Sequence, residues 1–186
     1  MKRVLLSLAL FTQLAAGSPH LAAVESDTFA PSLAEKALSL EIAGAEPFGQ
    51  QTFAVRDSGQ LLGVLVPGKG LLRADINACF IGWSRNGKTV ATLTATIGFA
   101  QFDSEACEDV TSVGVISRPD DSELKIAVIY TATALVQTSL VAVVLAYDPQ
   151  TLSLVVDNAL TKRVNDADLD SVPKIRRFYA VHPPAL

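Results

Sequence analysis

Apolar and polar residues alternate with a period of two through most of residues 51–157, which is the pattern of β-strands that bury one face. Turn-forming residues divide this region into hairpins. The predicted turns are Asp57-Ser58-Gly59, Asn86-Gly87, Pro119-Asp120-Asp121 and Asp148-Pro149-Gln150-Thr151. The strand pairs around them are residues 51–56 with 60–66, 76–85 with 88–99, 113–117 with 123–131, and 140–147 with 152–157. About eight strands at this spacing predict a mainly β (α+β) fold, an antiparallel, hairpin-rich meander, sandwich or barrel.

A short helix is expected on each side of these strands. Near the N-terminus, Ser32 can cap a helix and Glu35 follows three residues later, as a capping box requires, while Gly44 would end the helix. Near the C-terminus, residues 168–179 place acids before bases, which suits the helix dipole, and Pro173 fits the first turn. Ile175 of this second helix is expected to pack on the sheet.

The hairpin around Asn86-Gly87 indicates which side chains share a face. A two-residue type I′ turn there would place Phe80 opposite Leu93, and the face that carries Phe80 would form the core. The other face carries Cys79, Ile81, Trp83 and a row of threonines, and we expect it to contact water in part. Two interpretations of Trp83 remain open: it anchors a partner protein, or it packs under a loop. Further along, residues 67–70 (Pro-Gly-Lys-Gly) are expected to end the strand before them.

Residues 126–147 contain no charged side chain and are long enough to span a bilayer. Polar residues interrupt their middle, however, and their ends are rich in β-branched residues and tyrosine, which favour strands. Two buried strands joined near Gln137-Thr138-Ser139 therefore explain the segment without a membrane.

Residues 1–17 have the composition of a secretory signal peptide. Lys2 and Arg3 precede an apolar stretch, and Ala15-Ala16-Gly17 provides small residues for cleavage. We therefore predict a signal peptide followed by a single β-rich domain with flanking helices, residues 18–186, located in the periplasm or secreted. Cleavage would leave 13 basic and 19 acidic residues, a net charge of −6, which does not suit a general nucleic-acid-binding protein. No stable membrane insertion is expected after cleavage.

Cys79 and Cys107 are the only two cysteines, and an even number in an exported chain predicts a disulfide bond between them. If Cys79 lies on the partly exposed face, this bond would pull the segment around Cys107 across the outside of the sheet. The segment, residues 103–109, is acidic. Its carboxylates are Asp103, Glu105, Glu108 and Asp109.

This acidic segment is open to three interpretations. It lacks the spacing of an EF-hand calcium loop, so a metal site is not predicted. It could be an ordinary solvated loop, or it could enter a basic cleft on another protein, since charged loops accelerate association and contribute to specificity. If the segment enters a basic cleft, the candidate partner-binding residues are Asp103, Glu105, Glu108, Asp109 and Trp83.

Motifs for catalysis are missing from the sequence. It contains no Gly-x-Ser-x-Gly, His-Glu-x-x-His or phosphate-binding loop, and His20 and His182 lie close to the two ends of the mature chain, where we expect mobile tails. We therefore expect a non-enzymatic exported binding protein without a cofactor, such as a periplasmic inhibitor or immunity protein acting on a toxin or cell-wall enzyme. The alternatives are a β-barrel carrier of a small ligand and a carboxylate-dependent hydrolase. The sequence leaves the partner, the strand order and the oligomeric state open.

Overall fold

The computed structural model describes residues 18–73 and 75–182, so the predicted signal peptide lies outside the described residues. These residues form ten β-strands, three α-helices and short 3₁₀ turns. The strands are β1 (His20–Ala23), β2 (Ile42–Pro47), β3 (Phe53–Asp57), β4 (Gln60–Leu72), β5 (Ile76–Ser84), β6 (Thr92–Ala95), β7 (Ala106–Val115), β8 (Lys125–Ala134), β9 (Gln137–Asp148) and β10 (Ser153–Val156). The helices are α1 (Ala30–Ala37), α2 (Asn158–Asp166) and α3 (Val172–Val181).

The strands form two antiparallel sheets that face each other. Sheet A has the order β1-β3-β4-β5-β6, with β2 paired to the far end of β4. Sheet B has the order β10-β9-β8-β7. The prediction of a mainly β, hairpin-rich fold with flanking helices is confirmed, and among its three alternatives the sandwich describes the structure, because the described strands do not close into a barrel.

The helices cover the outer faces of the sandwich, so the described residues form four layers. Leu33 of α1 packs with Phe80 on the outer face of sheet A. Ile81 of sheet A and Val128 of sheet B meet in the space between the sheets. Ile175 of α3 packs on the outer face of sheet B and is fully buried, as predicted. Because the central strands are buried on both faces, their sequences are almost continuously apolar.

Both faces of β5 are buried, which corrects the prediction that the Cys79 face contacts water. Phe80 points towards α1, whereas Cys79, Ile81 and Trp83 point into the main core between the sheets. The threonines expected to contact water are also at least partly buried. Thr96 is buried, and its hydroxyl donates to the carbonyl of Cys79 at 2.7 Å. The alternation along β5 distinguished its two faces correctly, but a second sheet covers the face that was expected to be exposed.

Strand β4 continues through Pro67-Gly68-Lys69-Gly70, so the predicted break there is wrong. Pro67 lies between the last residue paired to β3, Leu65, and the first paired to β2, Gly68, where the missing N–H is tolerated. Gly70 allows β2 to approach, because a Cβ atom there would lie 2.5 Å from Ile42 Cγ2. At these residues β4 changes its pairing partner from β3 to β2, and no turn forms.

The two glycine-containing hairpin turns differ from each other. Ser58 and Gly59 both have positive φ angles, 48° and 79°, and join β3 to β4 at the predicted turn. Asp57 pairs with Gln60, so the turn has two residues rather than the predicted three. In the second turn Gly87 has a positive φ but Asn86 does not. The Asn86 side-chain oxygen instead accepts the backbone N–H groups of Lys88 and Thr89, at 2.9 and 3.0 Å.

That side-chain hydrogen bonding lengthens the second turn and delays the start of β6 to Thr92. As a result Phe80 pairs with Ala95 rather than with Leu93, a shift of two residues from the predicted register. Because side chains alternate with a period of two, the shift leaves the side chains of β6 on their predicted faces. Val90 and Ile97, which flank β6, lie on the faces opposite to those predicted: Val90 packs with Phe80, and Ile97 packs with Cys79.

The charge-free segment forms the β8–β9 hairpin, as the strand interpretation predicts. Ala134 pairs with Gln137, so the connecting turn is Leu135-Val136 rather than residues 137–139. Among the described residues, no helix is long and apolar enough to cross a membrane.

The helix boundaries also differ from those predicted. Helix α1 begins at Ala30, and Ser32 lies within it, where its hydroxyl donates to the Phe29 carbonyl and accepts the Val90 N–H. The helix ends at Ala37, before the predicted stop. At the other end of the chain two helices form where one was expected: α2 precedes α3, which starts at Val172 with Pro173 in its first turn, as predicted.

Candidate functional site

The disulfide bond joins the two sheets. Cys79 in β5 and Cys107 in β7 are bonded, with their Cα atoms 5.7 Å apart and both side chains buried. The predicted pairing is therefore confirmed, but the bond lies inside the sandwich and not across its outside. It links the beginning of β7 to the centre of sheet A, so the acidic segment around Cys107 starts from an anchored position.

Only part of the acidic segment is a loop. Asp103 follows a 3₁₀ turn and is exposed, whereas Glu108 and Asp109 lie in β7. Glu108 occupies an irregular position between the paired residues Cys107 and Asp109, and both acidic side chains are exposed. The prediction of one solvated loop over residues 103–109 is thus corrected to a short loop followed by a bulged edge strand.

Glu105 differs from the other three acidic residues because it is half-buried. Its Oε2 atom is shielded from solvent and has no hydrogen-bond partner in the described structure. This burial raises the pKa of Glu105 above its ordinary value. Within residues 18–73 and 75–182, none of the ion pairs includes Asp103, Glu105, Glu108 or Asp109.

A shallow groove of about 350 Å³ runs beside the acidic strand. Glu108 lines it on the β7 side, and Glu46 and Lys69 line it on the side of sheet A. Lys69 Nζ already contacts Glu46, at 3.6 Å. The groove therefore adds a further carboxylate to the acidic surface, together with one cation that has a partner.

Trp83 does not belong to this surface. It is fully buried in the main core, its indole N–H donates to the carbonyl of Leu152 at 2.9 Å, and its ring lies 6.0 Å from that of Tyr147. The packing interpretation therefore describes Trp83, and its side chain is not available to anchor a partner. Its ring packs against Tyr147 of the opposite sheet, and its indole N–H is bound by the β9–β10 turn, which contains Leu152.

The tip of the β8–β9 hairpin, residues 133–140, contains an exposed run, residues 135–140, that the sequence pattern did not predict. Leu135 and Val136 are each 99% exposed. Thr133 pairs with Ala106 at the beginning of β7, so the tip lies next to the acidic segment. The signal was present in the sequence, as three apolar residues between Thr133 and Gln137, but the turn was expected two residues later.

A second polar cluster lies at the other end of β8. Lys125 Nζ contacts Asp157 Oδ2 at 2.7 Å and Glu123 Oε2 at 2.9 Å. Burial alone would lower the pKa of Lys125, but hydrogen bonds to the two carboxylates raise it above its usual value. For Asp157, burial would raise the pKa, but Lys125 and the Leu160 N–H hold it below its usual value. Lys125 thus binds both carboxylates, which is the arrangement of a structural ion-pair cluster.

The histidines are not both in mobile tails. His20 belongs to β1 and pairs with Arg56, which corrects the expectation for that residue. His182 follows α3, where its ring stacks on Phe178 with the centroids 4.7 Å apart. In the described parts of the chain, no three His, Cys, Asp or Glu side chains are grouped as metal ligands.

Comparison of the chain with protein-family models, with curated proteins and with solved structures finds no match.

Proposed function

We propose that this protein is an exported, non-enzymatic binding protein whose acidic surface recognises a basic partner protein. A periplasmic inhibitor or immunity protein that acts on a toxin or a cell-wall enzyme fits this description. The observation that carries the proposal is the position of Asp103, Glu108 and Asp109. They are exposed next to an inter-sheet disulfide, and no cation among the described residues pairs with them.

Unpaired carboxylates in a fixed arrangement suit recognition for two reasons. They attract a cationic partner over a distance comparable to the Debye length, which accelerates association. Because strand pairing and the Cys79–Cys107 bond already order the segment, little conformational entropy is lost when the partner binds. The other exposed acids of this region, such as Glu46, would extend the same negative field.

Export is supported by the disulfide, since such bonds persist in oxidising compartments and are rare in the reducing cytosol. A chain that functions in the periplasm or outside the cell would meet its partner there. The predicted signal peptide at residues 1–17 belongs to the same proposal.

The test begins with affinity capture by the mature protein from an envelope extract of the cells that produce it. The captured protein is identified by mass spectrometry and purified, and its association rate is then measured at low and high salt. Two variants are compared with the wild type. The acidic-surface variant is Asp103→Asn, Glu105→Gln, Glu108→Gln and Asp109→Asn; the control, with the same change in net charge, is Glu25→Gln, Asp27→Asn, Glu35→Gln and Asp168→Asn.

We expect the acidic-surface variant to associate roughly tenfold more slowly at low salt, and the difference to shrink at high salt. The control should slow association much less, because its four exposed acids lie elsewhere on the molecule. Equal rates for the two variants would show that the acidic surface has no special role in recognition. Failure to capture any partner would count against a protein-binding function.

A further inference from the structure

The tip of the β8–β9 hairpin exposes apolar side chains where nothing in the described structure covers them. Leu135 and Val136 form the two-residue turn and are each 99% exposed, and Leu140 nearby is 45% exposed. The whole run of residues 135–140 is exposed and contains no charged side chain. Contiguous exposed apolar residues of this kind commonly mark an interaction site.

The backbone at the tip also suits glycine better than leucine. Leu135 has a φ of 55°, a left-handed conformation that favours glycine and costs a leucine stability. Hairpins with two-residue turns ordinarily place Gly, Asn or Asp at such positions. A bulky apolar residue here is therefore unfavourable for both the turn and the solvent-exposed surface.

Acidic residues surround the base of the tip on the β7 side. Ala106 pairs with Thr133, so Glu105 immediately precedes the first paired position of β7. Asp109 pairs with Thr131, and Glu108 occupies the irregular position between the pairs. A second copy of this chain that binds through the same surface, or a membrane of anionic lipids, would place negative charge against these carboxylates, which is unfavourable.

We infer that the hairpin tip inserts Leu135 and Val136 into an apolar pocket of the partner protein, and that lysine and arginine side chains surround this pocket. The inference rests on the proposed function and specifies the chemistry of its partner. It assigns different roles to two neighbouring parts of one surface. The apolar tip supplies the desolvated centre of the interface, where most binding energy arises, and the carboxylates supply the polar rim, which affects mainly the association rate.

The β9–β10 turn provides a matched control for the tip. Leu152 also has a positive φ, 51°, and is also exposed, at 46%. It lies at the opposite end of β9, a strand of 12 residues, and hence roughly 40 Å from Leu135. Glycine suits the backbone at both positions, so neither Leu135→Gly nor Leu152→Gly should impair folding.

The first experiment identifies what contacts the tip. A photocrosslinking amino acid, benzoylphenylalanine, replaces Leu135 in one sample of the full chain and Leu152 in another, and the cells that produce the protein are irradiated. We expect a crosslink to a basic protein from position 135 and none to that protein from position 152. Crosslinks from position 135 to a second copy of the chain, or to lipid, would overturn the inference. The same crosslink from both positions would also overturn it.

The second experiment measures the dissociation constant of the partner that affinity capture identifies. Leu135→Gly should raise this constant roughly tenfold or more, mainly through faster dissociation, whereas Leu152→Gly should leave it unchanged. Normal binding by Leu135→Gly, together with slowed association of the acidic-surface variant, would overturn the inference and leave the proposed function standing. If capture yields no partner and position 135 forms no crosslink, both are overturned.

Discussion

Lys125 Nζ lies 2.7 Å from Asp157 Oδ2, and only 4% of the Lys125 surface is exposed. The other carboxylate oxygen of Asp157 accepts the backbone N–H of Leu160 and caps helix α2. One side chain therefore neutralises a buried cation of β8 and begins the helix that covers sheet B. This arrangement ties the outer layer of the sandwich to its central strand.

Removing the Asp157 carboxylate should destabilise the protein strongly. Asp157→Ala leaves Lys125 buried with Glu123 as its one remaining partner and removes the helix cap, so we expect a loss of about 3–5 kcal/mol in the free energy of unfolding. Asp157→Asn should lose less, because its amide oxygen can still accept the Leu160 N–H. Glu123→Gln, at the exposed side of the pair, should cost less than about 1 kcal/mol. Urea denaturation of the mature protein measures all three; equal losses would contradict this account.

The stabilising effect of Asp157 should depend on pH in a defined direction. Its folded-state pKa lies below the unfolded value, so its contribution is present above the unfolded pKa, about 4, and is lost as the pH falls through the folded pKa. We expect the stability difference between wild type and Asp157→Asn to be constant through neutral pH and to shrink below pH of about 4. Denaturation curves recorded at several pH values test this; a difference that grows on acidification would contradict it.

Glu105 should show the opposite dependence. Burial raises its folded-state pKa, so its favourable contribution is present at low pH and is lost as the pH rises through that pKa. Glu105→Gln should therefore stabilise the protein at neutral pH, and the advantage should disappear in acid, where the carboxyl group is uncharged. Glu108→Gln, an exposed neighbour, serves as the control and should change the stability little. A destabilised Glu105→Gln variant at neutral pH would show that the carboxylate has a partner in solution.

The disulfide should contribute to the stability of the folded protein. Thiol labelling of the unfolded, unreduced mature protein should find no free thiol, and labelling after reduction should find two. The bond closes a sequence separation of 28 residues, for which the chain-entropy model gives about 3–4 kcal/mol. The double variant Cys79→Ala, Cys107→Ala should lose at least part of this, measured by denaturation. Two reactive thiols before reduction would rule the bond out.

Leu135→Gly should make the isolated protein more stable. Glycine relieves the positive φ of the turn, and this gain is partly offset by the greater entropy of glycine in the unfolded chain, so we expect about 0.5–1 kcal/mol. Thermal unfolding of wild type and variant provides the measurement. No gain, or a loss, would show that the leucine side chain makes stabilising contacts within the molecule.

Turn chemistry made several parts of the fold predictable. Ser58 and Gly59 form a two-residue turn because both residues adopt the positive φ angles that this kind of turn requires. At Asn86-Gly87 the same rule failed, since the Asn86 side chain offered the backbone an alternative partner. The acidic residues of the proposed site were recognisable because four of them lie within residues 103–109. Leu135 was not recognisable, because the β8–β9 turn lies two residues before its predicted position and therefore exposes different side chains.

Interactions between residues close in sequence were enough to locate the hairpins and to predict the period of two along their strands, although the register of β6 and the β8–β9 turn were each displaced by two residues. Whether a strand face meets water or a second sheet depends on residues far along the chain. Trp83 shows the difference: alternation separated its face from that of Phe80, and only the packing of sheet B, with Leu152 accepting the indole N–H across 69 residues, made that face the main core. Local periodicity tells that two faces differ, whereas burial is a property of the assembled layers.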